Sequence, residues 1–461
     1  MHSKHDKVTE EYRMAGHIQD MTKGRPAALF LRLAVPVCFE NTLWMVLAAA
    51  VNVIISKGVG TQGLAAIGAS TFPYNLFSWF SFGFAQCISG VIGMYFGLGD
   101  ERRMKEGVSS GIFLTVCVGT VLSLAGIMLA EPILRLLGTP ADIFPYTKLY
   151  LTVQYAAILT AMMHYVLSFM MIAFGNGIDP IIDILVLGGT AVVLSYLFVF
   201  VLQMGVVSGA LALTGGYIAA AVFDLHALRK MGVLASGKGA FRISGKCLKE
   251  MTAKSIPFAL QLSVAAVGGM LMQKALNVQG AAVVAGFAAA SSICSIMQGV
   301  QNGCGYAMNS YVSQNYGAGK NDRIRQGMRT AIVIGLVLWA VAAVIQVLGG
   351  HLLLRLYVNQ GDTNAAAVMQ AGYRFLCIMS AFSFVLYLLY ISRSALVGIG
   401  KSAFAIFGTA AEILGRGWTA ALFPVILGLP GVYFSECSAW LLCGLTHFAV
   451  FLYFLGKMKK N

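Results

Sequence analysis

Glu40 lies in the run LAVPVCFENTLWMVLAAAVNV, where nearly every other side chain is apolar. A carboxylate in hydrocarbon costs several kcal/mol unless it is paired, hydrated or protonated, so an ionisable group there is a functional candidate by default. Asp183, Glu412 and Glu436 stand in similar surroundings. Such groups could take up and release a proton or a small cation. Glu40 leads because positions i+3 and i+4 hold Leu43 and Trp44 rather than a cation. Asn52, Gln261, Gln273, Gln298 and Asn302 add hydrogen-bonding groups that cannot titrate. They could touch a substrate or tie helices together, at about 0.6 kcal/mol per bond. Ion-coupling candidates are thus Glu40, Asn52 and Asp183, and cavity candidates are Gln261, Gln273, Gln298, Asn302 and Glu436. Glu412 and Arg416, four apart, have the spacing of a structural ion pair on one helix face.

Other chemistries lack their residues. His164 and His447 have no metal-ligand spacing and read as packing residues, so no metal ligands are assigned. The nine cysteines form no CxxC pair and lie mostly in apolar runs, as small buried hydrophobes. GIGKS at 398–402 imitates the end of a phosphate loop, but Ala395 stands where the earlier glycine belongs. Neither HExxH nor GxSxG occurs. No catalytic residue, enzyme activity or bound cofactor is expected. Met162, Met163, Met170, Met171, Met270 and Met272 suit a pocket accepting varied shapes, but ordinary packing is preferred.

The elements that must position these residues are membrane helices. The 461 residues are 58% hydrophobic and only 11% charged, with mean hydropathy +0.78, whereas a soluble domain carries about 25% charged residues. Runs of about 20 apolar residues signal bilayer-crossing helices. Twelve are expected, at 27–56, 62–97, 102–130, 144–174, 180–202, 206–230, 247–278, 282–316, 324–350, 366–397, 402–427 and 431–456. Residues 1–25 are polar and are expected at the membrane surface or without fixed structure, and no cleavable leader is visible. With the N-terminus inside, the inner loops gather Arg102, Arg103, Lys105, Arg229, Lys230, Lys238, Lys246, Lys320, Arg323 and Lys401. The outer loops keep scattered cations such as Lys57, Arg135 and Arg355. That bias is the positive-inside rule. It accounts for most of the net charge of +14 and leaves no organised basic face for nucleic acid. The expected location is the inner cell membrane, multi-pass, as a monomer with both termini cytoplasmic.

The chain also repeats itself. GLGDERRMKEG at 97–107 overlies GAGKNDRIRQG at 317–327, and Leu134-Arg135-Leu136 overlies Leu354-Arg355-Leu356. Pro36 matches Pro257, GNG at 175–177 matches GIG at 398–400, and Gly205-Val206 matches Gly431-Val432. Collinear matches of this kind imply an all-α membrane protein of two pseudo-twofold six-helix lobes. The lobes are 26–230 and 247–461, after the polar segment 1–25 and joined by a basic linker at 231–246. Parallel repeats place the substrate between the halves, with access alternating as one rocks on the other. Counting from the matched prolines sets Glu40 over Gln261 and Asn52 over Gln273.

SQNYGAGKNDR entering the ninth span resembles the QN-x-GAG-x-x-x-R junction of the multidrug and toxic compound extrusion family. LAAIGAS, LLGTP, GNGIDP and EILGR also resemble family segments, and the likeness covers about 26–456. The resemblance implies export of bulky lipophilic, usually cationic compounds, driven by proton or sodium influx. It also implies an aspartate late in the first span, where this chain has Val51-Asn52, and an asparagine and aspartate in the fifth, where it has Ala191 and Ser195. In the seventh span no carboxylate follows Glu250. The usual coupling groups are therefore depleted, and Glu40 is the leading substitute.

The expectation is a secondary antiporter exporting lipophilic, cationic organic compounds in exchange for H+ or Na+. The alternative is a flippase for lipid-linked precursors, which would want a cationic cavity. The intramembrane cations Lys254, Lys274 and Arg393 lie near helix ends and argue against it. A non-transporting receptor or scaffold is disfavoured by the twofold lobes.

Overall fold

A backbone surrounded by hydrocarbon must satisfy its own N–H and C=O groups, so the apolar runs close into helices. A computed structural model describes residues 17–234, 242–277, 281–358 and 364–458, and among these there is no strand. The first half holds α1 (Pro26–Gly58), α2 (Gly60–Gly97), α3 (Glu101–Leu136), α4 (Phe144–Ala156), α5 (Ile158–Ala173), α6 (Asp179–Tyr196) and α7 (Ser208–Lys230). The second holds α8 (Gly245–Asn277), α9 (Ala281–Gly317), α10 (Asn321–Arg355), α11 (Ala365–Gly398), α12 (Ile406–Leu427) and α13 (Leu429–Lys457). The expected fourth span is a broken one, bent by 41° where α4 meets α5. Among the described residues, ten helices are long and apolar enough to cross a bilayer, or eleven with the bent pair. The remaining expected span is α8, whose side chains beyond Val264 lie outside the described residues.

Helix α3 has an outward face more apolar than its buried one. On α3 the buried face is Gly107, Ser109, Ser110, Gly111, Thr115, Gly119, Ser123 and Gly126, with a few apolar residues. Its outward face shows Val121, Leu124 and Met128. Small residues let helices approach closely where hydrocarbon offers no hydrophobic drive to associate. The repeat partner α10 presents Val337, Val341, Val344 and Leu348 outward in the same way.

The turns carry the twofold plan. Gly99 (φ 68°) and Gly319 (φ 71°) end α2 and α9 in the left-handed conformation that only glycine adopts freely. After α5 and α11 the equivalent residues are Gly175 (φ 75°) and Gly400 (φ 69°). The N–H groups of Gly175 and Asn176 reach back to Ile172 and Met171, as those of Gly400 and Lys401 reach Val397 and Leu396. Likewise Gly205 (φ 67°) corresponds to Gly428 (φ 64°). The matches of Gly175 with Gly398 and of Gly205 with Gly431 are therefore out of register. Loop length differs between the lobes, and letters alone cannot show which glycine has the positive φ.

Within one lobe α5 packs on α2, α3 and α7, and within the other α11 packs on α9, α10 and α13. Across the interface α1 lies along α9, and α2 lies along α8 and α9. The end bearing the α2–α3 and α9–α10 turns, here called the basic end, is shut. A Cβ on Gly97 would come within 2.0 Å of the Gln314 carbonyl oxygen, and one on Gly317 within 2.1 Å of that of Met94. Gln86 donates to Ser394 Oγ at 3.0 Å, and Asn309 to the Gln86 carbonyl at 3.1 Å. Residues 18–22, expected at the surface, are instead mostly buried here. Gln314 accepts from the Met21 N–H and donates to the Ala173 carbonyl, both at 2.8 Å. Asn315 and Arg323 donate to the Met21 carbonyl at 3.0 and 3.1 Å, and Lys320 to that of Thr22 at 2.8 Å.

Candidate functional site

Above that seal lies a cavity of about 260 Å³ between the lobes. One wall is Glu40, Asn41 and Trp44 of α1, Phe82 of α2, His164, Tyr165, Ser168 and Phe169 of α5, and Tyr217 of α7. The other is Leu262 of α8, Asn302 and Tyr306 of α9, and Arg393 of α11. Aromatic rings bridge the walls: Phe82 lies 5.6 Å from Tyr306 and 5.5 Å from Tyr165, and Phe169 lies 4.9 Å from Tyr306. Ring faces attract cations, and flat rings accept lipophilic ones. Glu40 Oε2 accepts from the Asn41 amide at 2.8 Å.

Behind this wall three buried ionisable groups from three helices meet. His164 Nδ1 stands 3.3 Å from Asp183 Oδ1 of α6 and 3.3 Å from Asp224 Oδ2 of α7. Their side chains are at most 4% exposed. One ring N–H cannot serve two carboxylates. Both oxygens of Asp183 and Oδ1 of Asp224 accordingly lack a directed hydrogen bond among the described residues. With the imidazole charged, the cluster still carries one excess negative charge, which hydrocarbon penalises heavily. A proton would cancel it. The ligand atoms lie within 4.8 Å of one another, close enough for a metal ion as well. A hard cation such as Na+ wants a shell of oxygens, and here one of the three ligand positions is a nitrogen.

Other candidates lie elsewhere. Asn52 is exposed on the outside of α1. Gln261 is buried, and its amide donates to Thr409 Oγ1 at 2.6 Å rather than facing the cavity. Gln298 lines a separate, much smaller cavity with Cys294, Gln301 and Trp440. Asn302 lines the main one. The side chain of Gln273 lies outside the described residues. Glu412 pairs with Arg416 at 2.9 Å, and Glu436, expected at the cavity, is bound to the same guanidinium.

A model of the family described as MatE matches residues 36–197 and 257–415, one stretch in each lobe. The chain belongs to the MatE family. The probable multidrug resistance protein YpnP of Bacillus subtilis (strain 168) is 26% identical over 441 residues, covering 92% of this chain and 96% of that protein. A MOP superfamily transporter from Pyrococcus furiosus, described as having a binding pocket of reverse polarity, superposes with TM-score 0.87 at 17% identity over 96% of this chain and 98% of that one. A multidrug resistance MATE transporter in an outward-facing conformation gives the same TM-score of 0.87, at 17% identity and with the same coverage. These likenesses establish a multi-pass membrane transporter fold of twelve spans in two lobes.

Two features of this MatE chain lay beyond the sequence reading. His164 is no lone histidine, because its partners come from α6 and α7, as far as 60 positions away. Asp224 stands close to Arg229 and Lys230, where the sequence looks like a hydrated helix end and carries no signal of burial. Arg393 is indeed near the end of α11, yet its side chain lines the cavity. Of the methionines, Met162, Met170 and Met171 are buried in the core, and none of them lines the cavity.

Proposed function

We propose that this MatE-family chain is a secondary antiporter exporting lipophilic organic compounds, positively charged in part, in exchange for protons. The observation that carries this reading is the His164–Asp183–Asp224 cluster adjoining an aromatic cavity that His164 itself lines. A cationic substrate in the cavity and a proton on the cluster compete for one excess negative charge. Loading either disfavours the other, which is the differential affinity that exchange requires. Multidrug relatives such as YpnP support the substrate class. The charge bias supports an inner-membrane orientation with the basic end in the cytoplasm. The cavity would then be closed to the cytoplasm in this arrangement, and rocking of the lobes would open it. A flippase for pyrophosphate-linked lipids would need several cations, whereas the cavity sets one arginine against Glu40.

The test is ethidium efflux from proteoliposomes under an imposed pH or sodium gradient. A pH gradient should drive wild-type efflux and a sodium gradient should not. Asp183→Asn, which keeps shape but removes the charge available to a proton, should lower pH-driven efflux at least tenfold, about 1.4 kcal/mol or more of lost coupling. Sodium-driven efflux, or an unaffected Asp183→Asn protein, would overturn the coupling assignment.

A further inference from the structure

Arg393 is the unexplained charge in the cavity. Among the described residues no carboxylate lies within ion-pair distance of it, and its buried Nε has no hydrogen-bond partner. The neighbouring acids on its side, Glu412 and Glu436, are both taken by Arg416. His447, on α13, gives its Nε2 to the Ala405 carbonyl at 2.8 Å. The guanidinium rests over the Tyr390 ring, 4.9 Å from its centre, which orients it without neutralising it. On the facing wall Glu40 has, among the described residues, only the Asn41 amide as a side-chain partner, and Tyr306 lines the same cavity. A purely cationic substrate would be repelled by Arg393, and leaving a guanidinium unpaired in a partly desolvated cavity is costly.

We infer that the cavity is built for amphoteric compounds, with an ammonium or other cation held toward Glu40 and a carboxylate or similar anion held by Arg393. Planar oxyanions suit a guanidinium because two parallel N–H donors match two oxygens. The aromatic rings lining the cavity hold the apolar body of the compound. This inference rests on the cavity being the substrate site, and it names the class of substrate preferred there.

Two dansyl probes differ by a single carboxylate: Nε-dansyl-L-lysine carries an ammonium and a carboxylate, and dansylcadaverine only the ammonium. Both brighten on entering an apolar site, so binding is read directly on purified protein in nanodiscs, without transport. Wild type should bind dansyl-lysine at least fivefold more tightly. Arg393→Gln should weaken dansyl-lysine about tenfold, in line with one charge-assisted bond, and leave dansylcadaverine unchanged or tighter. Its retained dansylcadaverine binding shows that the variant is folded, and Arg393→Lys should recover part of the loss. Equal effects of Arg393→Gln on both probes, or a wild-type preference for dansylcadaverine, would overturn the inference. If neither probe binds while ethidium is still exported, the amphoteric assignment falls and the export reading stands. If neither binds and no ethidium moves, both fall.

Discussion

Gln314, within the motif SQNYGAGKNDR, holds the basic end closed through two bonds that leave its own helix. It accepts from the Met21 N–H and donates to the Ala173 carbonyl at the end of α5, each at 2.8 Å. Each buried bond contributes about 1 kcal/mol net, and the partners stranded by Gln314→Ala pay some desolvation besides. The closed arrangement should lose about 2–3 kcal/mol, which at 1.4 kcal/mol per tenfold is about a 30- to 150-fold shift toward opening. The reporter is the Gln19 N–H, bound to the Phe174 carbonyl at 3.1 Å and untouched by the substitution. Its deuterium exchange, resolved by fragmentation mass spectrometry, should accelerate by that factor. Gln314→Glu keeps the acceptor for Met21 but sets a buried carboxylate against the Ala173 carbonyl, so it should open this end at least as much as Gln314→Ala. If Gln19 exchanges within twofold of wild type in Gln314→Ala, the segment and the motif are not one closure, and the reasoning fails.

Two further outcomes follow from buried groups elsewhere. Arg416→Gln leaves Glu412 and Glu436 facing each other and should cost about 3–5 kcal/mol, read as a lowered Tm in detergent. Making all three apolar (Glu412→Leu, Arg416→Met, Glu436→Leu) should restore most of the loss, and a lasting deficit would mean that the trio does more than balance charge. Cys38 of α1 and Cys304 of α9 bring their sulfurs to 3.9 Å across the lobe interface. Copper phenanthroline in air should join them, passing two electrons to oxygen and releasing two protons. Efflux should then stop until dithiothreitol is added, and a Cys304→Ser protein that is equally inhibited would refute the cross-link.

The spans and the basic end were legible because they depend on composition averaged over many residues, where single errors cancel, and the two lobes because several short matches recur in the same order at nearly one offset. The pair of Glu412 with Arg416 was legible because it is local to one helix. What stayed hidden depends on helices meeting. His164 looks isolated in AMMHYVL, and nothing near it in the chain announces Asp183 or Asp224. Glu436 looked free because Arg416 reaches it from α12, and Gln261 looked available because Thr409 lies far along the chain. The break after α4 carries neither proline nor glycine, since Tyr155, Ala156 and Ala157 occupy it. Local propensity gives no warning there.

The corrected register shows how one scaffold came to hold opposite charges on its two sides. With Gly175 matched to Gly400 and Gly205 to Gly428, His164 overlies Leu389, Asp183 overlies Gly408 and Asp224 overlies His447. The second lobe therefore has no acid at any of the three positions. A Cβ on Gly408 would lie 2.3 Å from His447 Nε2, so the His447 ring fills the space where the first lobe places a carboxylate. The same register sets Ser168 over Arg393, and both line the cavity. The turns kept their glycines because φ near +70° leaves little choice of residue, while the facing positions diverged because helices tolerate either charge once it is compensated. On the proposed coupling, a proton arriving in the first lobe would change the balance on one wall while Arg393 holds the other fixed. In the proposed antiport, an asymmetric charge change across a symmetric hinge would give the two lobes different preferences for the same opening, and rocking would then follow occupancy of His164, Asp183 and Asp224.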